Sequence, residues 1–311
     1  MQLKKIDIGG FIVENNVFMA PMAGYTDGAF RDGITKLGAG LTFTELVSAK
    51  GLIYGAKGNK VLLASSYPDK TAVQLFGGDA YFMRRACESE DLSGYKIVDI
   101  NMGCPVPKVY NNGEGSALLK DLNRAEEIIK ECVKSGKIIT VKIRTGLKYG
   151  EDIASEVAKA CENAGAKLIT VHGRVREAYY SGEPDYNAIA SVKKSVKIPV
   201  IANGGIFSVS DADKMIEETG ADGIMLARGA LKNPFLVSEL TNTKTDENLK
   251  EFIIAHVKGM KEIYPERQAN VEFRKFVPYY FHGVRNSKEL RLKLVATKST
   301  DEILDIIEQN L

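Results

Sequence analysis

Apolar residues in this chain cluster into short, nearly unbroken runs through its first three quarters, at residues 17–22, 41–45, 71–76, 97–101, 138–144, 168–172, 199–203 and 223–227. Continuous apolar runs of that length are the pattern of strands buried on both faces. The segments between them change period. Leu122, Ala125, Ile128, Ile129 and Cys132 recur at steps of three and four, as do Val157, Ala160, Cys161 and Ala164. That spacing predicts amphipathic helices, with Cys132 and Cys161 as core packing. Eight strands alternating with helices over roughly 240 residues fit a closed (β/α)8 barrel. An open doubly wound sheet is the alternative; the even spacing of eight units favours closure.

Polar residues fall at the C-terminal ends of these runs: Glu45, Gln74, Asn101, Lys142 and Arg144, His172, Asn203 and Arg228. In a barrel those ends converge on one face, where the site is built. The fourth run leads into Asn101-Met-Gly-Cys-Pro105, which sets a thiol on a loop whose glycines at 113 and 115 leave it able to move over a substrate. Asn203-Gly-Gly-Ile206 and Ala227-Arg-Gly-Ala230 follow the last two runs, where barrels bind phosphate through backbone N–H groups and a helix N-terminus. No G-x-G-x-x-G follows the first run, so one phosphate of a mononucleotide cofactor or a sugar phosphate is indicated rather than a dinucleotide. Lys142 suits either a Schiff-base nucleophile or a charge beside a reduced flavin. His172 suits a hydrogen bond to a cofactor oxygen better than a metal, because His256 and His282, the other two histidines, lie outside the barrel.

Composition excludes more than it assigns. The 311 residues carry a net charge of +2 and 44% hydrophobic content. The four cysteines (87, 104, 132, 161) form neither a C-x-x-C pair nor a zinc spacing, so no disulfide framework or structural metal is expected. No apolar run approaches the roughly 18 residues of a membrane span, and no basic start leads into an apolar signal segment. A cytoplasmic monomer in a reducing compartment is the expectation.

Read in order, the motifs resemble the tRNA-dihydrouridine synthases over nearly the whole chain. They are Ala20-Pro-Met-Ala-Gly-Tyr-Thr-Asp27, Gln74-Leu-Phe-Gly77, Asp99-Ile-Asn-Met-Gly-Cys-Pro105, Val141-Lys-Ile-Arg144, Thr170-Val-His-Gly-Arg174, Val200-Ile-Ala-Asn-Gly-Gly-Ile206 and Arg228-Gly-Ala-Leu231. The resemblance implies a barrel holding FMN and reduced by NADPH, followed by a small helical domain that grips tRNA. It places Pro21, Met22 and Ala23 against the isoalloxazine ring. It has Gln74, Lys142 and His172 hydrogen-bond the flavin, and Asn203, Gly204, Gly205, Ala227 and Arg228 hold its phosphate. Ala227 departs from the glycine common there in the family. On the same footing, hydride passes from FMN N5 to uracil C6 and Cys104 protonates C5. Asn101 and Arg174 would meet the substrate. That role needs a protonated thiol, whereas Lys142 and Arg144 nearby would favour thiolate.

The strand pattern stops near residue 241, which divides the chain into a barrel (1–240) and a helical domain (241–311) behind a polar linker. Helices are expected over 249–264 and 300–311. Between Arg274 and Lys298 stand seven bases and one acid, with Phe273, Phe276, Tyr279, Tyr280 and Phe281 interleaved. Basic charge with aromatics suits RNA, which makes Arg285, Lys288 and Arg291 candidate tRNA contacts. An ordinary helical core with a basic face is the alternative. Two rival functions remain: an FMN barrel acting on a free pyrimidine, as in dihydroorotate dehydrogenase, and a non-catalytic RNA-binding relative.

Overall fold

In the computed structural model, which describes residues 1–56, 58–284 and 286–311, eight parallel strands close on themselves. An antiparallel hairpin, β1 (Ile6–Ile8) and β2 (Phe11–Val13), comes first. The barrel strands are β3 (Val17–Met19), β4 (Leu41–Phe43), β6 (Thr71–Phe76), β7 (Ile97–Met102), β8 (Ile138–Arg144), β9 (Ile169–His172), β10 (Val200–Asn203) and β11 (Gly223–Leu226). The two-residue β5 (Val47–Ser48) adds to the upper part of β6. Phe18 of β3 pairs with Leu41 of β4 on one side and Met225 of β11 on the other, which closes the ring. This is the expected (β/α)8 barrel, with strands at all eight apolar runs.

The period of two along each strand sorts side chains between two cores. Outward residues such as Val73, Leu75, Val98, Ile100, Val141 and Ile143 join the large cluster under the helices. Inward residues Phe18, Leu41, Ala72, Ile97, Leu168, Ile201 and Met225 form a second cluster, which Ile6, Ile8 and Val13 of the hairpin complete. Higher up the barrel the inward positions turn polar: Gln74, Asp99, Thr140 and Thr170, then Asn101, Lys142, Arg144, His172 and Asn203. The barrel is thus apolar at its N-terminal end and polar at the other, and only the polar end can bind a charged ligand.

The last barrel helix is Leu236–Thr241; Thr241 is buried and its hydroxyl bonds back to the Val237 carbonyl at 2.9 Å. The polar segment that follows starts at Asn242. Helices Leu249–Ile263, Glu266–Phe273, Val277–Tyr280, Ser287–Ala296 and Thr300–Asn310 follow. Asn248 and Glu251 cap the first of these reciprocally. It packs on barrel helix Gly28–Lys36 at close range, because a methyl on Gly33 would stand 2.7 Å from the Phe252 ring.

Candidate active site

A cavity of about 500 Å³ opens at the polar end of the barrel, a size suited to a mononucleotide-sized ligand. Pro21, Met22 and Ala23 line it after β3, Asn101 and Cys104 after β7, and Lys142, His172 and Arg174 from β8 and β9. Asn203, Gly204, Gly205, Ala227 and Arg228 complete the wall. These strand ends lie far apart in sequence; register brings them together, pairing Asn101 with Lys142 and His172 with Asn203. Ala227 has φ −135°, so its methyl asks for no left-handed backbone.

Lys142 is buried, and its Nζ donates to Asn203 Oδ1 at 2.9 Å. Burial, helped by Arg144 and opposed by Asp99, brings its pKa down to about 7. Asn203 spends its other end on the Met225 carbonyl at 2.8 Å, so both amide groups serve to aim the lysine. His172 is held neutral by burial and by the surrounding cations Lys142, Arg144, Arg174 and Arg228. Its Nε2 faces Arg174 Nη1 at 3.3 Å. A guanidinium can only donate, so Nε2 accepts and the imidazole proton sits on Nδ1. Gly204 and Gly205 have φ +125° and +71°, a left-handed turn that side chains resist. A Cβ on Gly204 would also stand 3.2 Å from Arg174 Nη1 and His172 Cδ2. Bare backbone N–H groups beside Arg228 suit a phosphate, and a buried lysine beside a neutral imidazole suits the polar edge of a flavin. The residues present therefore fit FMN.

Cys104 is half-buried, and the other three cysteines are buried. Its backbone N–H donates to Asn101 Oδ1 at 2.9 Å, and its carbonyl accepts from Ser116 Oγ at 2.7 Å. Burial pushes the thiol pKa up, against a backbone hydrogen bond at Val106 and the charges of Arg144 and Arg176. The conflict between a protonated thiol and its cationic surroundings is thus decided by burial. Arg144 is committed elsewhere: Nε donates to the Gly103 carbonyl at 2.7 Å, and Nη1 to Val175 and Tyr179 carbonyls at 2.9 Å each. It straps the thiol loop to the loop after β9. Gly115, expected to loosen the thiol loop, also meets a packing need, since at φ +61° its Cβ would stand 3.0 Å from that of Cys104.

Of the other expected residues, one lies deeper than the cavity wall and two of the expected tRNA contacts lie farther out. Gln74 is fully buried below the cavity and not in its wall, with its amide shared between Asp99 and Asn101. Lys288 and Arg291 lie on helix Ser287–Ala296, outside the cavity, and Arg285 lies outside the described residues. Arg174 lines the cavity, yet its guanidinium also holds the Gly182 carbonyl at 2.7 Å. The aromatics of the C-terminal segment mostly follow the core alternative. Phe273, Phe276, Tyr280 and Phe281 are buried, and only Tyr279 reaches the cavity, edge-on to Tyr25. Tyr180 was not foreseen; its ring stacks on His172 and lies under the Arg228 guanidinium at 5.1 Å.

The family pattern described as Dihydrouridine synthase (Dus) matches residues 18–311. The chain belongs to the dihydrouridine synthase family. It is 37% identical over 298 residues to a Rickettsia conorii protein named "Probable tRNA-dihydrouridine synthase", covering 92% of this chain and 90% of that one. It is 34% identical over 309 residues to the Pseudomonas putida protein named "tRNA-dihydrouridine synthase B", covering 96% and 92%. Among solved structures, a 2-naphthoyl-CoA reductase complex superposes with TM-score 0.61 at 14% identity, over 78% of this chain and 52% of that chain. The structure titled TcOYE with pHBA superposes with TM-score 0.56 at 13% identity, over 80% and 95%. At those identities the likeness shows the shared barrel. Among the described residues, no helix of this dihydrouridine synthase family member is long and apolar enough to cross a membrane.

Proposed function

We propose that this protein reduces a uridine of tRNA to 5,6-dihydrouridine in the cytoplasm, using FMN re-reduced by NADPH. One observation carries the reading: a half-buried thiol, kept protonated by burial, lines the same cavity as a flavin-type set of Lys142, His172, Gly204, Gly205 and Arg228. A Schiff-base aldolase would use Lys142 but leave Cys104 idle. FMN, when bound and reduced, supplies the hydride to uracil C6. The chain's residues do the rest. Lys142 and His172 orient the cofactor's polar edge, and the glycine turn with Arg228 binds its phosphate. Cys104 Sγ gives its proton to C5 and becomes a thiolate, which the nearby Arg144 and Arg176 stabilise until solvent returns the proton. Asn101 meets the uracil with its one free amide hydrogen, because Oδ1 serves the Cys104 loop and Nδ2 already donates to Gln74.

Cys104→Ala tests this reading. NADPH oxidation by the bound flavin should persist, while uridine reduction falls about 10²–10⁴-fold, the usual worth of a placed acid. Normal dihydrouridine formation in that variant would assign the proton elsewhere. A free-pyrimidine reductase would instead turn over uracil compounds without tRNA.

A further inference from the structure

Asp99 lies inside the barrel one layer below Asn101, fully buried and outside the cavity wall. Thr140 Oγ1 donates to its Oδ1 at 2.6 Å and Gln74 Nε2 donates to its Oδ2 at 2.7 Å. At the far end of the Gln74 amide, Oε1 accepts from Asn101 Nδ2 at 2.8 Å. Asn101 Oδ1 in turn accepts from the backbone N–H of Cys104 at 2.9 Å and of Gly103 at 3.3 Å. Three side chains thus connect the barrel interior to the loop that carries the thiol.

Chemistry gives this line a direction. An ionised carboxylate only accepts, and an amide has one donating and one accepting end. With Asp99 accepting, Gln74 must turn its NH2 toward Asp99 and its carbonyl toward Asn101. Asn101 must then turn its NH2 toward Gln74, which leaves its carbonyl for the Cys104 backbone. A donor at position 99 would invert both amides and set the Asn101 NH2 against the Cys104 N–H, donor against donor. We propose that Asp99 is a positioning residue whose polarity, passed through Gln74 and Asn101, holds the Cys104 loop at the cavity. Lys142 on the adjacent strand attracts the carboxylate and favours its ionised form, although burial raises the pKa to about 6. The catalytic consequence rests on the reading of Cys104 as the acid; the hydrogen-bond logic does not.

The test is a polarity swap. Asp99→Leu alone takes away the acceptor that orients Gln74, whereas Asp99→Asn with Gln74→Glu restores an acceptor facing Asn101 and satisfies every hydrogen bond. In the swap, Thr140 donates to the carbonyl of the new amide at position 99, and that amide's NH2 donates to the new carboxylate at position 74. The readout is alkylation of Cys104 by iodoacetamide at pH 8, followed by mass spectrometry on the purified protein; Cys87, Cys132 and Cys161 are buried. Asp99→Leu should raise the rate about tenfold, the gain in loop opening when a hydrogen bond of ordinary worth is lost. It should also lower kcat for tRNA reduction while leaving KM for tRNA unchanged. The swap should return alkylation to the wild-type rate, and does so equally tellingly if Asp99→Leu alone fails to fold. A wild-type rate in Asp99→Leu, a swap that alkylates as fast as the single variant, or a swap that fails to fold overturns the inference. If alkylation follows this pattern and uridine reduction is unaffected, the positioning stands and the acid role of Cys104 falls.

Discussion

The imidazole Nε2 of His256 stands 3.1 Å from the Asp27 carboxylate, and the pair is a buried polar link between helix Leu249–Ile263 and the barrel. On the other side of the ring, Nδ1 meets the Tyr280 hydroxyl at 2.8 Å. Asp27 also caps barrel helix Gly28–Lys36 by accepting from the Phe30 N–H at 3.0 Å. Tyr280 is the neighbour of Tyr279, which lines the cavity. The seating of the C-terminal domain thus sets part of the active-site wall.

Burial alone would push Asp27 up, but the attraction and hydrogen bond of His256, with Phe30 N–H and Arg31, hold its pKa below the ordinary carboxylate value. A depressed carboxylate contributes stability that is present above the unfolded pKa and lost as pH falls through the folded one. His256→Ala leaves a buried carboxylate with its main partner gone, which should cost about 3 kcal/mol near neutral pH. The gap to the wild type should narrow as pH falls, because protonation relieves the stranded Asp27 while the wild type loses the contribution of its depressed carboxylate. Chemical denaturation at pH 7 and an acid titration followed by circular dichroism check both.

Lys142 gives the opposite sign. Its folded pKa of about 7 lies below the unfolded value of roughly 10.4. The cost of burying it is complete below pH 7, where both states are charged. It fades as pH rises from 7 toward the unfolded value. Lys142→Met should therefore be more stable than the wild type at pH 6, by on the order of 2 kcal/mol, with the gap closing by about pH 10. The same variant should lose flavin on purification. Thermal melts at pH 6 and 9.5, with flavin absorbance of the same samples, measure both effects.

The basic C-terminal segment is less free than its composition suggested. Lys293 pairs with Glu289 at 2.9 Å, Lys275 pairs with Glu272, and Arg274 donates to the Thr297 carbonyl at 2.8 Å. Lys288 is exposed, and Arg291 is half-buried with Nε on the Ser287 carbonyl at 3.1 Å. If these two meet tRNA phosphates, replacing both with Glu should weaken tRNA binding and flatten its dependence on salt, with a slope change of about 1.8 for two phosphates no longer neutralised. NADPH oxidation and the melting temperature should hold. Filter binding across a salt series measures the slope.

The barrel was legible because its strands are buried on both faces and read as unbroken apolar runs. The β1–β2 hairpin escaped notice, since three-residue strands are shorter than any periodic signal, although Gly9-Gly10 marked the turn. Site residues at strand ends could be named from sequence, but their depth could not, because depth comes from the stagger between strands. Gln74 pairs with Asp99, a layer below the pair Asn101–Lys142, and so falls beneath the cavity. The spacing of Phe273, Phe276 and Tyr280 already carried a helical core signal. Tyr180 sits in an irregular loop with no period to reveal it.

The most direct test of the account is to incubate the purified protein with FMN, NADPH and tRNA lacking dihydrouridine, then digest the tRNA and quantify the nucleosides by mass spectrometry. The account predicts dihydrouridine at a defined uridine of the tRNA, formed only when NADPH is present and strongly reduced in Cys104→Ala. A flavin-loaded protein that oxidises NADPH yet leaves every uridine unreduced would contradict it.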